Sequence, residues 1–273
     1  MASEPAATRG PALADVRVLA PADADYPAGL RDLADPPAHL YVAGGALPPV
    51  ARAVAIVGAR AATPYGRGIA ERLARDLAHA GITVVSGLAR GIDAAAHAGA
   101  LAAGRTLAVI PSALDQVTPG THTDLARRIA AAGAVVSEVA QGGPFGRGAF
   151  VKRNRLIAAL ATATIVVEAT PESGALTTAE FATGLGRQVF AVPGDIDRPA
   201  ARVCADAGDV LAGLDPEALA DDPDAKLRAL LGPEPRSLEE LSRASGAEAG
   251  ELLAMQWSGQ VLVHPGGRWS ART

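Results

Sequence analysis

Cysteine is almost missing from this chain, with Cys204 the single one. One thiol excludes an intrachain disulfide and a structural zinc site built on cysteines. Aromatics are scarce as well, 3% of 273 residues, so a core must be assembled from Val, Leu, Ile and Ala. That composition suits a parallel sheet covered by alanine-rich helices better than an antiparallel sandwich. The longest apolar runs, around 156–167, are too short and too interrupted by threonine to span a bilayer. The first ten residues, MASEPAATRG, lack the apolar centre of a signal peptide. The expectation is a cytoplasmic protein without membrane contact, with residues 1–10 disordered. Catalytic signatures are missing too. There is no GxGxxG fingerprint, no Walker loop, no Ser-His-Asp order and no His pair at metal-ligand spacing. Glu138, Glu168 and Glu180 are acid–base candidates, but nothing in the pattern pairs them. The expectation is a protein that is not an enzyme and carries no cofactor.

What is present is a rhythm. VAIVG (54–58), TVVSG (83–87), LAVIP (107–111), AVVSE (134–138), TIVVE (164–168) and VFAVPG (189–194) are short β-branched runs. Most are separated by helical stretches that end at or run into Gly81, Gly104, Gly133 and Gly186. Strands alternating with helices predict βαβ units and a mainly parallel sheet. Residues 11–50 are Pro-rich and predict a short helix and one strand leading into the main domain. An acidic stretch, 206–223, reads as a linker after a first domain at 11–205. Residues 224–273 read as three short helices, QVLVH, a PGG turn and RWSAR, which is a small winged helix. Ser237 is its first N-cap candidate, with Glu240 at the capping-box position.

In open parallel sheets, ligands bind outside the carboxyl ends of the strands. Four such ends carry polar chemistry. After the first strand, Gly58 permits a tight turn, Thr63 and Pro64 start a helix, and Arg60 stands beside it, a combination that favours a phosphate. A simple turn with a solvated arginine is the equal alternative. After the second, Ser86 and Gly87 offer a hydroxyl and a close backbone approach, and Arg90 a guanidinium fork. Asp93 is a first-turn acid, a cap or the partner of an arginine; His97 reads as packed on a helix face. After the fourth, GRGAFVKRNR places Arg147, Lys152, Arg153 and Arg155 in ten residues, around Asn154 and Phe150, with Phe145 just before. Read as an exposed basic loop, it offers stacking for bases and charge for a backbone, the needs of a single-stranded nucleic acid. The alternative makes Phe150 a core anchor. After the fifth, Ser173, Gly174 and Thr177 begin a helix and suit an anion. Net charge is −4, but local charge decides where a polyanion binds.

With these segments in place, the chain resembles the DNA-processing protein A (DprA/Smf) family over about 26–194. SGLARGID and RNRLIA are the most specific of the shared segments. The resemblance implies an extended Rossmann-like fold with a small C-terminal winged-helix domain. It also implies single-stranded DNA binding, a homodimer, and loading of the RecA recombinase onto incoming strands during natural transformation. Carried over by motif, the family's DNA pocket falls on the Gly58–Arg60 loop, the Ser86–Gly87 turn, and Arg147, Phe150, Arg153 and Arg155. The sequence departs from the family pattern at Thr118 and Gly120, at Ala149, and over ARVCADAGDVLAG. Two rivals remain. Thr177 and Glu180 have the Thr-x-x-Glu spacing of LOG-type nucleotide phosphoribohydrolases, although ESGAL before them is not that family's glycine loop. A degenerate member acting only through protein contacts is the other. The acidic GAEAGELLAMQWSGQ helix of the winged module reads as a protein-facing surface, since duplex readout needs Lys or Arg there.

Overall fold

A computed structural model describes residues 13, 15–144, 146, 148–170, 173–192, 202–204, 206–211 and 213–214, together with strands at 236–237, 261–264 and 268–271. The chain divides after Leu214 into two compact units. The first unit opens with β1 (Arg17–Leu19), α1 (Ala28–Arg31) and β2 (Leu40–Gly44). It continues through β3 (Ala53–Gly58), α2 (Pro64–His79), β4 (Thr83–Ser86), α3 (Ile92–Leu101), β5 (Thr106–Val109), α4 (Thr123–Ala132) and β6 (Ala134–Ser137). It closes with α5 (Gly148–Ala159), β7 (Ala163–Val167), α6 (Gly174–Gly184), β8 (Gln188–Ala191), β9 (Arg202–Val203) and α7 (Ala207–Leu211).

These strands form one sheet in the order β1-β2-β6-β5-β4-β3-β7-β8-β9. Every pairing from β6 to β9 is parallel, while β1 with β2 and β2 with β6 are antiparallel. All residues of β4, β5, β6 and β7 are buried, because helices cover both faces of the sheet. That is why these strands read in sequence as unbroken apolar runs. The chain steps outward from β3 to β6, then returns to place β7 on the other side of β3. The carboxyl ends of β3 and β7 therefore flank a topological switch point, where a crevice opens in this class of sheet.

Two expectations are modified. The Pro-rich start contributes two strands rather than one; β1 is only three residues long and carries no periodic signal. The stretch 206–223, read as a linker, begins inside the first unit, because α7 buries Ala207 and Val210 and Leu214 is buried as well. The expected disorder of 1–10 lies outside the described residues.

The second unit shows β10 (Arg236–Ser237), β11 (Val261–His264) and β12 (Arg268–Ala271). β11 and β12 form the expected hairpin, with Val261 opposite Ala271 and His264 opposite Arg268. β10 adds to β12. The three helices expected here lie outside the described residues. Among the described residues, no helix is long and apolar enough to cross a membrane.

Candidate functional site

At the switch point, a crevice of about 410 Å³ is lined by Gly58, Arg60, Asp93, Phe150, Arg153 and Asn154, and by Ser173 and Gly174 at the start of α6. The exposed Arg60 extends from the loop after β3 and sets its guanidinium carbon 4.6 Å above the centre of the Phe150 ring. This is a cation–π contact. Phe150 is half-buried, and Val151 beside it is 49% exposed. Ser173 caps α6 by accepting from the Ala175 amide at 3.3 Å. Asn154 Nδ2 donates to the Gly174 carbonyl at 2.9 Å, tying α5 to the same helix start.

The basic segment is not a loop. Gly148–Ala159 is helical, and the turn of Arg153 to Ile157 faces inward. The reason is that this half of the helix is covered on several sides, by the sheet and by α1 and α6, and a helix covered all round buries its polar positions with its apolar ones. Arg153 is only 4% exposed. Its Nη1 donates to the carbonyls of Gly87 and Val109, both at 2.5 Å, at the ends of β4 and β5. A Cβ on Gly87 would stand 2.1 Å from that nitrogen. Gly87 thus makes room for the arginine packed on it.

Asp93 lies buried near Arg153 and accepts from the Ala89 amide at 3.2 Å. Burial raises its carboxyl pKa, against the pull of the Arg153 charge and of backbone hydrogen bonds from Ala89 and Gly87. Burial likewise lowers Arg153 to about 10, with Asp93 opposing and Arg60 adding to the shift. Both members move toward their neutral forms, so desolvation outweighs their mutual attraction. Asp93 is more than a dipole-complementing first-turn acid: it is buried, accepts from the Ala89 amide and feels the Arg153 charge.

Other expected contacts are also engaged internally. Ser86 is fully buried and its hydroxyl donates to the Ile56 carbonyl at 2.6 Å, bridging β4 to β3. Arg155 is buried and bonds Glu138 at 2.5 Å, with Asp35 3.8 Å away. The exposed Lys152 lies 3.5 Å from the same Glu138. This gives Glu138 the partners that the sequence did not reveal. Ser86, Gly87 and Arg155 thus engage the protein's own groups, and Arg153 lies in the crevice floor. Arg147 and Phe145 lie outside the described residues. Thr63 and Pro64 do start a helix, but the Glu168 carboxylate already occupies its amino end.

His97 packs beneath the floor as expected, fully buried, with Nδ1 2.8 Å from Thr106 Oγ1. Burial first, then the nearby His122 and Arg153 charges, lower its pKa to about 3. As pH falls from about 6.5 to about 3, the unfolded chain takes up a proton that the folded one refuses. Stability contributed by neutral His97 is present above that window and lost within it. The expected slope is about 1.4 kcal/mol per pH unit for this one proton. Urea midpoints at pH 7 and 4.5 should diverge in the wild type and converge in His97→Gln.

With this geometry established, comparisons place the chain among known proteins. A family model described as DNA recombination-mediator protein A matches residues 17–213, and a DprA winged helix domain model matches 214–267. Protein Smf of Synechocystis is 41% identical over 195 residues, 68% of this chain and 48% of the relative. A putative DNA processing protein DprA of Mycobacterium tuberculosis is 47% identical over 154 residues, 56% of this chain and 40% of the relative. The chain spans about half the length of these curated relatives. The solved DprA of Streptococcus pneumoniae superposes with a TM-score of 0.67 at 34% identity, covering 74% of this chain and 76% of that one. The DprA of Helicobacter pylori, solved for its single-stranded DNA binding mode, gives 0.59 at 30% identity, covering 72% and 87%.

Proposed function

Because the chain belongs to the DNA recombination-mediator protein A family, we propose that it is a non-catalytic mediator that binds single-stranded DNA at the switch-point crevice. In this reading it works in the cytoplasm as a homodimer. It shields incoming strands and passes them to the RecA recombinase, during natural transformation where the host takes up DNA. The observation that carries the reading is the Arg60–Phe150 pair over an open crevice. Charge for a phosphate and an aromatic face for a base stand within one nucleotide step of each other. The start of α6, capped by Ser173, lies in the same crevice and suits a second phosphate. The single-stranded DNA binding of the Helicobacter relative supports the same assignment.

The test is fluorescence anisotropy with labelled oligothymidylate over a salt series. The logarithm of the association constant is expected to fall linearly with that of salt, by roughly 0.7 per phosphate neutralised. No binding at low salt would overturn the DNA reading and leave a protein-interaction role. Release of base from nucleoside monophosphates, lost in Glu180→Ala, would instead favour the phosphoribohydrolase reading. Sedimentation with and without oligonucleotide tests the dimer.

A further inference from the structure

We propose that Glu168 is the positioning residue of the interface: a clamp that fixes the loop bearing Arg60. This rests on the reading that Arg60 meets the DNA backbone. Glu168 follows β7 and grips the loop after β3 at both ends, across 105 residues of sequence. Its carbonyl accepts from the Ala59 amide at 2.7 Å. Its carboxylate accepts from the Thr63 amide at 2.8 Å through Oε2 and from the Thr63 hydroxyl through Oε1. Between these two anchors lie only Arg60, Ala61 and Ala62, and Arg60 alone has a side chain that reaches a ligand.

Three further observations show that the clamp is built rather than incidental. Glu168 holds φ at 50°, a conformation costly for a residue with a Cβ and tolerated where surroundings over-determine it. A Cβ on Gly66 would lie 2.4 Å from the Glu168 carboxyl carbon, so the first turn of α2 accommodates the carboxylate only as glycine. The loop is also held from its other side, where the Ile92 amide donates to the Ala59 carbonyl at 3.2 Å. The carboxylate supplies the negative charge favoured at the amino end of α2. It thereby leaves Arg60, rather than this helix terminus, to take a phosphate.

Glu168→Gly is the discriminating variant, since glycine adopts φ 50° without strain and keeps the carbonyl while losing the carboxylate. Oligothymidylate affinity is expected to fall by about tenfold, matching Arg60→Ala. The double variant should be no weaker than either single one, the signature of one shared interaction. Glu168→Gln, whose amide accepts from the Thr63 amide and donates to its hydroxyl, should restore binding. Amide hydrogen exchange over 59–63 in the free protein should quicken in Glu168→Gly and return to normal in Glu168→Gln. If Glu168→Gly does not fold, Thr63→Val removes one arm of the same clamp and is read the same way. Equal gains of affinity in the glycine and glutamine variants would overturn the proposal and make Glu168 a repulsive charge. Additive losses, or unchanged exchange over 59–63, would also overturn it. If the wild type binds no DNA, the functional reading fails, while the exchange experiment still decides the clamp.

Discussion

Arg153→Met should destabilise the fold by about 2–4 kcal/mol, because it strands two buried carbonyls and removes the positive charge near a buried acid. Methionine replaces much of the arginine's volume but none of its donors. Asp93 would remain 5% exposed without the nearby Arg153 charge, and the carbonyls of Gly87 and Val109 would lose their shared donor. Such a loss is a large fraction of the stability of an ordinary domain. The attraction between these neighbouring groups is not itself a strong source of stability, since burial shifts both toward neutrality. Replacing both, as Asp93→Leu with Arg153→Met, should therefore recover part of what the single change removes. Urea denaturation of the two single variants and the double measures this directly. A fully stable Arg153→Met with a flattened salt dependence of DNA binding would return Arg153 to the role of phosphate contact.

Phe150→Ala should weaken oligothymidylate binding by about 1–3 kcal/mol, the range for losing one stacked base. The ring also supports Arg60, whose guanidinium rests 4.6 Å above it. The variant therefore removes a stacking surface and frees the neighbouring cation together. Arg60→Ala should reduce the salt slope by roughly 0.7, one phosphate, whereas Phe150→Ala should leave the slope nearly unchanged. Arg60→Lys should not rescue fully, because an ammonium lacks the planar face that lies on the ring. Anisotropy over a salt series reads all three. A lowered melting temperature of Phe150→Ala, with affinity per folded molecule intact, would show the phenyl ring to be a core anchor.

The parallel strands were legible because helices bury both of their faces, which demands unbroken β-branched runs such as AVAIVG and ATIVV. The edge strands were not. β1 and β9 have three and two residues, too few for any period to show. The helix α5 was misread because glycines precede it, and a run of cations beside glycines has the composition of a solvated loop. Its inward turn depends on Leu156 and Ile157 meeting the sheet. The crevice itself was half legible. Arg60, Phe150, Ser173 and Gly174 follow strand ends, and strand ends are where such sheets bind. The partners that decide what each cation does are remote: Asp93 stands sixty positions before Arg153, and Glu168 more than a hundred after Thr63.

Periodicity, glycine placement and the SGLARGID and RNRLIA segments were enough to determine the α/β class, the family and the loops of interest, because local pattern encodes which elements form. Which charges stay exposed was decided only by the tertiary structure. The strand order β6-β5-β4-β3-β7-β8 brings the ends of β4 and β5 under α5, the helix that carries both Arg153 and Arg155. Burial there holds Arg153 on the carbonyls of Gly87 and Val109 and Arg155 on Glu138, and leaves Arg60 at the surface beside Phe150.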